Sequence, residues 1–189
     1  GSITPYGSAT RTYIAAGDQI WTAPGGTGAR LADVENNAAY GYLPSLSQLQ
    51  EQSSRYQMIV ANFYGNEAWE AIYGVSGAGQ AFVYDGFYFR HIYTGLSPSL
   101  DMPRHLAYNQ GALALGYAAG NVTFSVPGSP ENFDGILGAT SIDLGDPVTG
   151  LVRMSGTALG VFCRGSISTV TGTNIDNYSA TVISGAEGA

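Results

Sequence analysis

The sequence contains no lysine, and its seven basic residues are single, scattered arginines. Asp and Glu number 14, the formal net charge is -7, and charged residues make up only 11% of the chain. A nucleic-acid backbone binds to concentrated basic surfaces, so we expect no stable nucleic-acid binding and at most transient passage of DNA past an acidic wall. A surface so poor in charge suits contacts with other proteins, because few charges lose their water there.

Cysteine and histidine are also scarce, with one cysteine, Cys163, and two histidines, His91 and His105. The single cysteine lies in the apolar run 159–163, which predicts a buried thiol. The histidines have neither HExxH nor Cys-rich spacing, so we expect no metal and no cofactor. No apolar run reaches the roughly 18 residues of a membrane-spanning helix, so we expect a soluble chain without a membrane span.

What the chain has in quantity is glycine, with 27 residues, and tyrosine, with 13. Together with many Ser, Thr and Val residues, they favour short strands and tight turns. Four times a hydrophobic run reaches a turn glycine and a second run leaves it; the glycines are Gly17, Gly86, Gly120 and Gly165. The last two spacings, 34 and 45 residues, fall within the range of about 20–50 residues that repeat proteins show. The sequence therefore predicts a mainly β, propeller-like fold of repeated antiparallel hairpins.

The rest of the chain fits one all-β domain over residues 1–189, with a few exceptions to the hairpin pattern. One short helix is predicted near 45–53, where Ser45 opens a capping box. Residues 1–2 look like a cloning scar, and 184–189 look like a loose end, so we expect a fragment of a longer protein. Connections outside the repeat are expected at 25–37, 95–103 and 127–146.

Aromatic residues concentrate between Tyr56 and Tyr93. Alternating rings along strands fill a β core, whereas exposed Tyr and Trp rings are typical of glycan-binding and protein-binding surfaces. We favour the core for most of these rings. Trp69, Tyr88 and Tyr93 are the residues that we expect at a recognition surface.

Catalytic patterns are weak. Neither histidine lies near a Gly-x-Ser-x-Gly elbow, so a serine hydrolase is not predicted. A glycoside hydrolase stays open, because carboxylates from distant strands can meet, and Asp85, Asp143 and Asp146 are its first candidates. Asp101, Asp143 and Asp146 also offer oxygen ligands for a structural calcium ion, although turn capping is the commoner role of such residues. We expect no catalytic residue and no enzyme.

Seven short segments between residues 105 and 172 share their strand and turn residues with a known family. They are His105-Leu-Ala-Tyr-Asn-Gln-Gly-Ala-Leu, Val122-Thr-Phe-Ser, Gly128-Ser-Pro-Glu-Asn-Phe, Ser141-Ile-Asp-Leu-Gly-Asp, Val148-Thr-Gly-Leu, Leu159-Gly-Val-Phe and Gly165-Ser-Ile. Here the chain resembles the β-propeller portion of virion structural proteins at the tail hub, or nozzle, of tailed bacteriophages. The resemblance implies a structural role in a virion tail, with other tail proteins and further copies of the chain as partners.

The sequence therefore predicts an assembly domain of a phage or phage-like tail that forms subunit interfaces. The alternative is a receptor-binding or glycan-binding adhesin module with exposed Tyr and Trp, and a glycoside hydrolase comes third.

Overall fold

The structure is a computed structural model that describes nine stretches of the chain. These are residues 2–3, 11–16, 19–23, 29–30, 55–65, 69–85, 89–154, 156–173 and 177–185. Within them, sixteen short strands form four sheets of four strands, and each sheet is an antiparallel meander of consecutive strands. The predicted mainly β fold of repeated antiparallel hairpins is confirmed. The predicted helix near 45–53 lies outside the described residues.

The strands follow one another along the chain in groups of four. Sheet 1 contains β1 (Ser2–Ile3), β2 (Arg11–Ala16), β3 (Gln19–Ala23) and β4 (Ala29–Arg30). Sheet 2 contains β5 (Gln57–Ala61), β6 (Ala71–Val75), β7 (Ala81–Tyr84) and β8 (Phe89–Ile92). Sheet 3 contains β9 (His105–Asn109), β10 (Ala112–Gly116), β11 (Asn121–Phe124) and β12 (Thr140–Asp143). Sheet 4 contains β13 (Val148–Arg153), β14 (Leu159–Cys163), β15 (Ile167–Thr171) and β16 (Ser179–Ser184).

Sheets 2, 3 and 4 stack face to face, with the first strand of sheet 3 beside the first strands of both neighbours. One apolar core lies between sheets 2 and 3 and contains Tyr73 and Leu113, and a second lies between sheets 3 and 4 and contains Val122 and Leu159. A third cluster around Phe82 lies on the other face of sheet 2. The central strands β6 and β10 are therefore buried along their whole length, which is why they consist of unbroken apolar and glycine residues.

The true repeat is visible in the turn between the first and second strands of a sheet. Gly65, Gly111 and Gly156 occupy this turn in sheets 2, 3 and 4, with φ of 70°, 80° and 72°. Backbone in this region is disfavoured for residues with a Cβ, so glycine is the residue that the turn requires. The three glycines follow one another at 46 and 45 residues, which is the length of one sheet with its connections.

The four predicted turn glycines do not all occupy one position. Gly120 and Gly165 lie between the second and third strands of sheets 3 and 4. Gly17 itself lies outside the described residues, but Ala16 pairs with Gln19 on either side of it. Gly86 is also outside them, in the connection between the third and fourth strands of sheet 2, and Gly77 stands between the second and third. The predicted turn at Gly86 is therefore one strand later in its sheet than the turns at Gly120 and Gly165, and Gly77 is the residue equivalent to them.

The segment 127–146, predicted as a connection, contains regular structure, so that prediction is wrong for part of it. Thr140–Asp143 forms the edge strand β12, which pairs with β11 and places Ile142 opposite Val122. A short 3-10 helix, Gly135–Leu137, precedes it, and the side chain of Asp134 caps this helix by accepting from the backbone N–H of Ile136. A four-residue edge strand is too short for its alternation to stand out in the sequence.

Gly120 offers a test of how closely the sheets are connected. Its φ is +100°, and a Cβ would lie 2.9 Å from the backbone nitrogen of Asp146, whereas Gly138 has φ +108° and free space around it. We expect Gly138→Ala to lower the free energy of unfolding by about 1–2 kcal/mol through backbone strain. Gly120→Ala should lose a further 1–3 kcal/mol or so, because the connection before β13 has to move. Urea unfolding of both variants measures the difference, and equal losses would contradict the close approach.

Candidate ligand-binding site

An open pocket of about 610 Å³ lies where the first strands of sheets 2, 3 and 4 begin. Residues at the start of β5, β9 and β13 line it together with the turn between β6 and β7. We call it the polar pocket. Because three separate sheets contribute to its wall, the pocket exists only when the sheets are stacked.

The polar pocket holds two of the seven arginines of this acidic chain, Arg55 and Arg104. Arg104 is exposed, and it forms no ion pair with any residue in the described ranges. Arg90 on β8 differs, since its guanidinium contacts Asp85 at 3.0 Å and Glu131 at 2.9 Å. Arg104 therefore presents a charge that the described part of the protein does not neutralise.

The backbone around Arg104 is held from two sides. The N–H of Arg104 donates to the carbonyl of Gly116 at 2.9 Å, and the N–H of Gly77 donates to the carbonyl of Pro103 at 2.9 Å. Gly77 has φ +74°, and a Cβ at this position would lie 2.5 Å from Cγ of Arg104, so the arginine stem packs directly on the glycine. The guanidinium thus extends from a fixed base.

Gln57 joins the first strands of sheets 2 and 3 beside the pocket. Its side-chain amide donates from Nε2 to the carbonyl of Leu106 at 3.1 Å and accepts at Oε1 from the N–H of Leu106 at 3.3 Å. One side chain thus satisfies both backbone groups of a residue in a neighbouring sheet. This pairing fixes the relative position of the two strands that carry Arg55 and Arg104.

His105, the first residue of β9, lines the same pocket and is half-buried. Burial lowers the pKa of its imidazole below the usual value, and the positive charge of Arg104 lowers it further. Near neutral pH, the wall of the polar pocket therefore contains a neutral His105 beside a cationic Arg104. The sequence interpretation of His105 gave no sign of this pocket, because its neighbours come from other sheets.

A second, smaller pocket of about 300 Å³ adjoins the first and shares Gly77 and Arg104 with it. We call it the apolar pocket, because Leu96, Leu100 and Met102 contribute to its wall. Leu96 and Leu100 are 41% and 65% exposed. Arg104 therefore lies between a polar recess and an apolar one.

Asp101 holds the segment that carries these leucines. Its carboxylate is fully buried and accepts from the Tyr117 hydroxyl at 3.1 Å, from the Thr94 N–H at 3.2 Å and from the Gln80 side chain at 3.4 Å. Burial raises the pKa of the Tyr117 hydroxyl well above its usual value, so this group stays a donor. Asp101 thus fastens the connection between sheets 2 and 3.

The other acidic candidates also have structural partners. Asp143 accepts from the N–H of Gly145 at 2.9 Å, Asp146 accepts from the N–H of Gly165, and Asp85 pairs with Arg90. Asp85 follows β7, at the end of the sheets opposite the connection that holds Asp143 and Asp146. The structure does not bring the three together, and no group of three or more His, Cys, Asp or Glu suited to a metal occurs among the described residues.

The aromatic candidates are separated. Trp69 is 53% exposed in the connection between β5 and β6, and Tyr93 is 66% exposed just after β8, at the opposite end of sheet 2. Tyr88 lies outside the described residues. Trp69 instead contacts Tyr64, which is 43% exposed, edge to face with ring centroids 5.2 Å apart. Tyr64 is not one of the expected recognition residues, although its place beside the turn glycine Gly65 is a signal of exposure.

Cys163 and His91 lie on strands of sheets 4 and 2. Cys163 is fully buried, as predicted, and burial raises the pKa of its thiol. His91 lies on β8 with its ring edge to face with that of Phe89 at 5.3 Å.

In the ranges that the structure describes, we find no apolar helix of membrane-crossing length.

Comparison with known proteins shows the fold. No family model and no curated protein matches the sequence. Among solved structures, the chain is similar to BBS1N, a β-propeller, in the crystal structure of BBS1N in complex with ARL6DN. The TM-score is 0.60 at 14% identity, and the match covers 96% of this chain and 54% of that chain. The chain has a propeller-like β fold, as predicted, and it spans about half the length of this neighbour.

The polar pocket makes a testable prediction about His105. Arg104→Gln should raise the pKa of His105 part of the way back to its usual value, because one of its two causes, the arginine charge, is removed while burial remains. The pH titration of the imidazole proton signals by NMR measures this. Arg153→Gln, which removes an exposed arginine at the other end of β13, should leave the titration unchanged. An equal response to both substitutions would contradict a local effect of Arg104.

Proposed function

We propose that this chain is an assembly domain that acts through protein interfaces and not through catalysis. The observation that supports this best is the outer face of sheet 4, which is the face directed away from sheet 3. It presents apolar side chains that the described residues leave half-exposed or exposed. A sheet in a propeller packs both of its faces against neighbouring sheets, and this face lacks such a neighbour among the described residues.

Strand register identifies the side chains on this outer face. Val152 pairs with Gly160, and Gly150 pairs with Phe162, which in turn pairs with Ile167. The alternate rows, such as Leu151 with Val161, belong to the core shared with sheet 3. Val152 and Met154 are 45% and 44% exposed.

The shape of this outer face suits another sheet. Gly150 has Phe162 as its nearest neighbour, and the side chains of Val152 and Met154 extend over Gly160, so apolar groups cover this part of the face. Charge does not oppose the contact, because the two paired rows across the face consist of apolar, glycine, serine and threonine residues. Burial of apolar surface in such a contact stabilises it by about 25 cal/mol per Å².

We infer that a second copy of the chain covers this face. The neighbour with the same fold is nearly twice as long, and this chain accounts for 54% of it. Two copies would therefore supply about as many sheets as one polypeptide of that length. The assembly then agrees with the low charge content of 11%, since a large contact buries few charges.

The setting of this assembly follows from the resemblance of residues 105–172 to tail hub or nozzle proteins. We propose a virion tail, where further copies and other tail proteins would be the partners. DNA passing such an assembly would meet an acidic protein of net charge -7 and would not adhere to it.

Association of the purified chain tests the proposal. Wild-type protein should form a reversible dimer in sedimentation velocity, and Val152→Asp should weaken the dimer at least about tenfold, because an unpaired carboxylate would be buried in the contact. Ile136→Asp is the matched control, since Ile136 is 93% exposed on the 3-10 helix between β11 and β12, away from sheet 4. A wild-type chain that stays monomeric at every concentration, or equal effects of both variants, would refute the proposed contact.

A recognition module is the second candidate, and the exposed Tyr64–Trp69 pair favours it. The two rings stand edge to face at 5.2 Å at one end of sheet 2. The contact restrains both rings, and the exposed face of one ring can then pack against a sugar ring or a partner side chain.

A glycan array would separate this candidate from the first. If the chain is an adhesin module, specific glycans should be retained by the wild-type protein and by Tyr93→Ala, and lost in Trp69→Ala and Tyr64→Ala. Tyr93 is the control because it is exposed to a similar degree at the opposite end of the sheet. An array without hits, or hits that survive Trp69→Ala, would exclude this surface.

A further inference from the structure

We propose that the polar pocket and the apolar pocket together bind an extended segment of a partner protein in which a carboxylate side chain and an apolar side chain stand two positions apart and so point to the same face. The carboxylate would meet the guanidinium of Arg104, and the apolar side chain would enter the apolar pocket. This inference concerns a surface other than the outer face of sheet 4, and it relies on the proposed function only in taking the ligand to be a protein.

Charge complementarity identifies the first half of the ligand. Arg104 has no carboxylate partner among the described residues, and Arg55 lines the same pocket. A guanidinium binds a carboxylate through two parallel hydrogen bonds, which a lysine could not provide. The arginine base is fixed by the contacts of Gly77 and Gly116, so little conformational freedom is lost on binding.

The apolar pocket identifies the second half. Leu96, Leu100 and Met102 line it directly beside Arg104, and Leu100 is 65% exposed. Asp101 is fully buried beneath this segment and anchors it, so the two leucines are presented on a held connection. An apolar side chain that covers them would remove their surface from water.

A peptide fits these two recesses better than a nucleic acid does. A phosphate backbone would need several cations in a row, whereas the net charge of the chain is -7 and its arginines stand singly. The two pockets share Arg104 and Gly77, so their occupants must be close neighbours, as side chains two positions apart on one face of an extended peptide are. Two pockets of about 610 and 300 Å³ accommodate side chains of ordinary size.

Binding of three labelled peptides to the full 189-residue chain tests the proposal by fluorescence anisotropy. The first repeats Glu-Ser-Leu-Ser, so that Glu and Leu lie on one face of the extended peptide. The second has Gln in place of Glu, and the third has Ser in place of Leu. We call them the Glu-Leu, Gln-Leu and Glu-Ser peptides. We expect the first to bind about tenfold or more tightly than either of the others, since each control lacks one of the two contacts.

Variants assign each contact to its pocket. Arg104→Gln should weaken the Glu-Leu peptide about tenfold and change the Gln-Leu peptide little, whereas Leu100→Asn should weaken the Glu-Leu peptide and change the Glu-Ser peptide little. Arg153→Gln is the control, because it removes the same charge from the opposite end of sheet 4. Addition of the Glu-Leu peptide to wild-type protein should also shift the NMR signals of His105, which requires no substitution.

Several outcomes would overturn the proposal. These are equal binding of the Glu-Leu and Gln-Leu peptides, no binding of any peptide, equal losses in Arg104→Gln and Arg153→Gln, or unchanged His105 signals. Displacement of the peptide by an equal concentration of inorganic phosphate would assign Arg104 to small anions and would also overturn it. Repeating the titration with Val152→Asp separates the two proposals. This variant changes the outer face of sheet 4 and leaves both pockets intact, so it should bind the peptide as wild-type protein does whether or not the chain dimerises.

Discussion

Face-to-face packing of four-stranded sheets is the constraint on which the rest of this structure depends. A sheet of four short strands has two apolar faces and cannot bury either by itself. Sheet 3 meets the requirement on both sides, with Leu113 in one core and Val122 in the other. The central strands β6 and β10 consequently consist of apolar and glycine residues and carry no charge. The outer face of sheet 4 has no such neighbouring sheet among the described residues.

Stacking also creates the candidate site. The strands β5, β9 and β13 begin at the same end of the stack, so the residues before them come together although they are far apart in the chain. Gln57 ties two of these strands by pairing with the backbone of Leu106. Arg104 then rests on Gly77, a turn residue of a different sheet. An arginine whose stem is held at the junction of a polar and an apolar recess is a product of sheet packing, because the residues around it come from different sheets.

The proposed functions share one physical basis, which is that the few charges and the exposed apolar groups are placed where a protein partner can use them. Arg90 is neutralised by Asp85 and Glu131 within the fold, whereas Arg104 forms no ion pair with the described residues. The carboxylates that were candidates for catalysis or calcium have structural partners. Asp143 and Asp146 accept hydrogen bonds from backbone N–H groups, and Asp85 pairs with Arg90. Asp101 holds the connection that carries Leu96 and Leu100. The surfaces on which our proposals rest are therefore the outer face of sheet 4 and the two pockets beside Arg104.

The sequence by itself determined the mainly β hairpins, the turns at Gly120 and Gly165 and the burial of Cys163, because these depend on alternation and turn chemistry within a few neighbouring residues. The spacings predicted from it were 34 and 45 residues, and the regular spacing of 46 and 45 appears only with Gly65, Gly111 and Gly156 in equivalent turns. The sequence could not decide that Gly77, and not Gly86, is equivalent to Gly120, since every hairpin in a meander has similar turn residues. Nor could it place Trp69 and Tyr93 at opposite ends of one sheet, or unite Arg104 with Arg55 and Val148. Only the tertiary structure decided those relations, because they arise from the order in which strands pair and sheets stack.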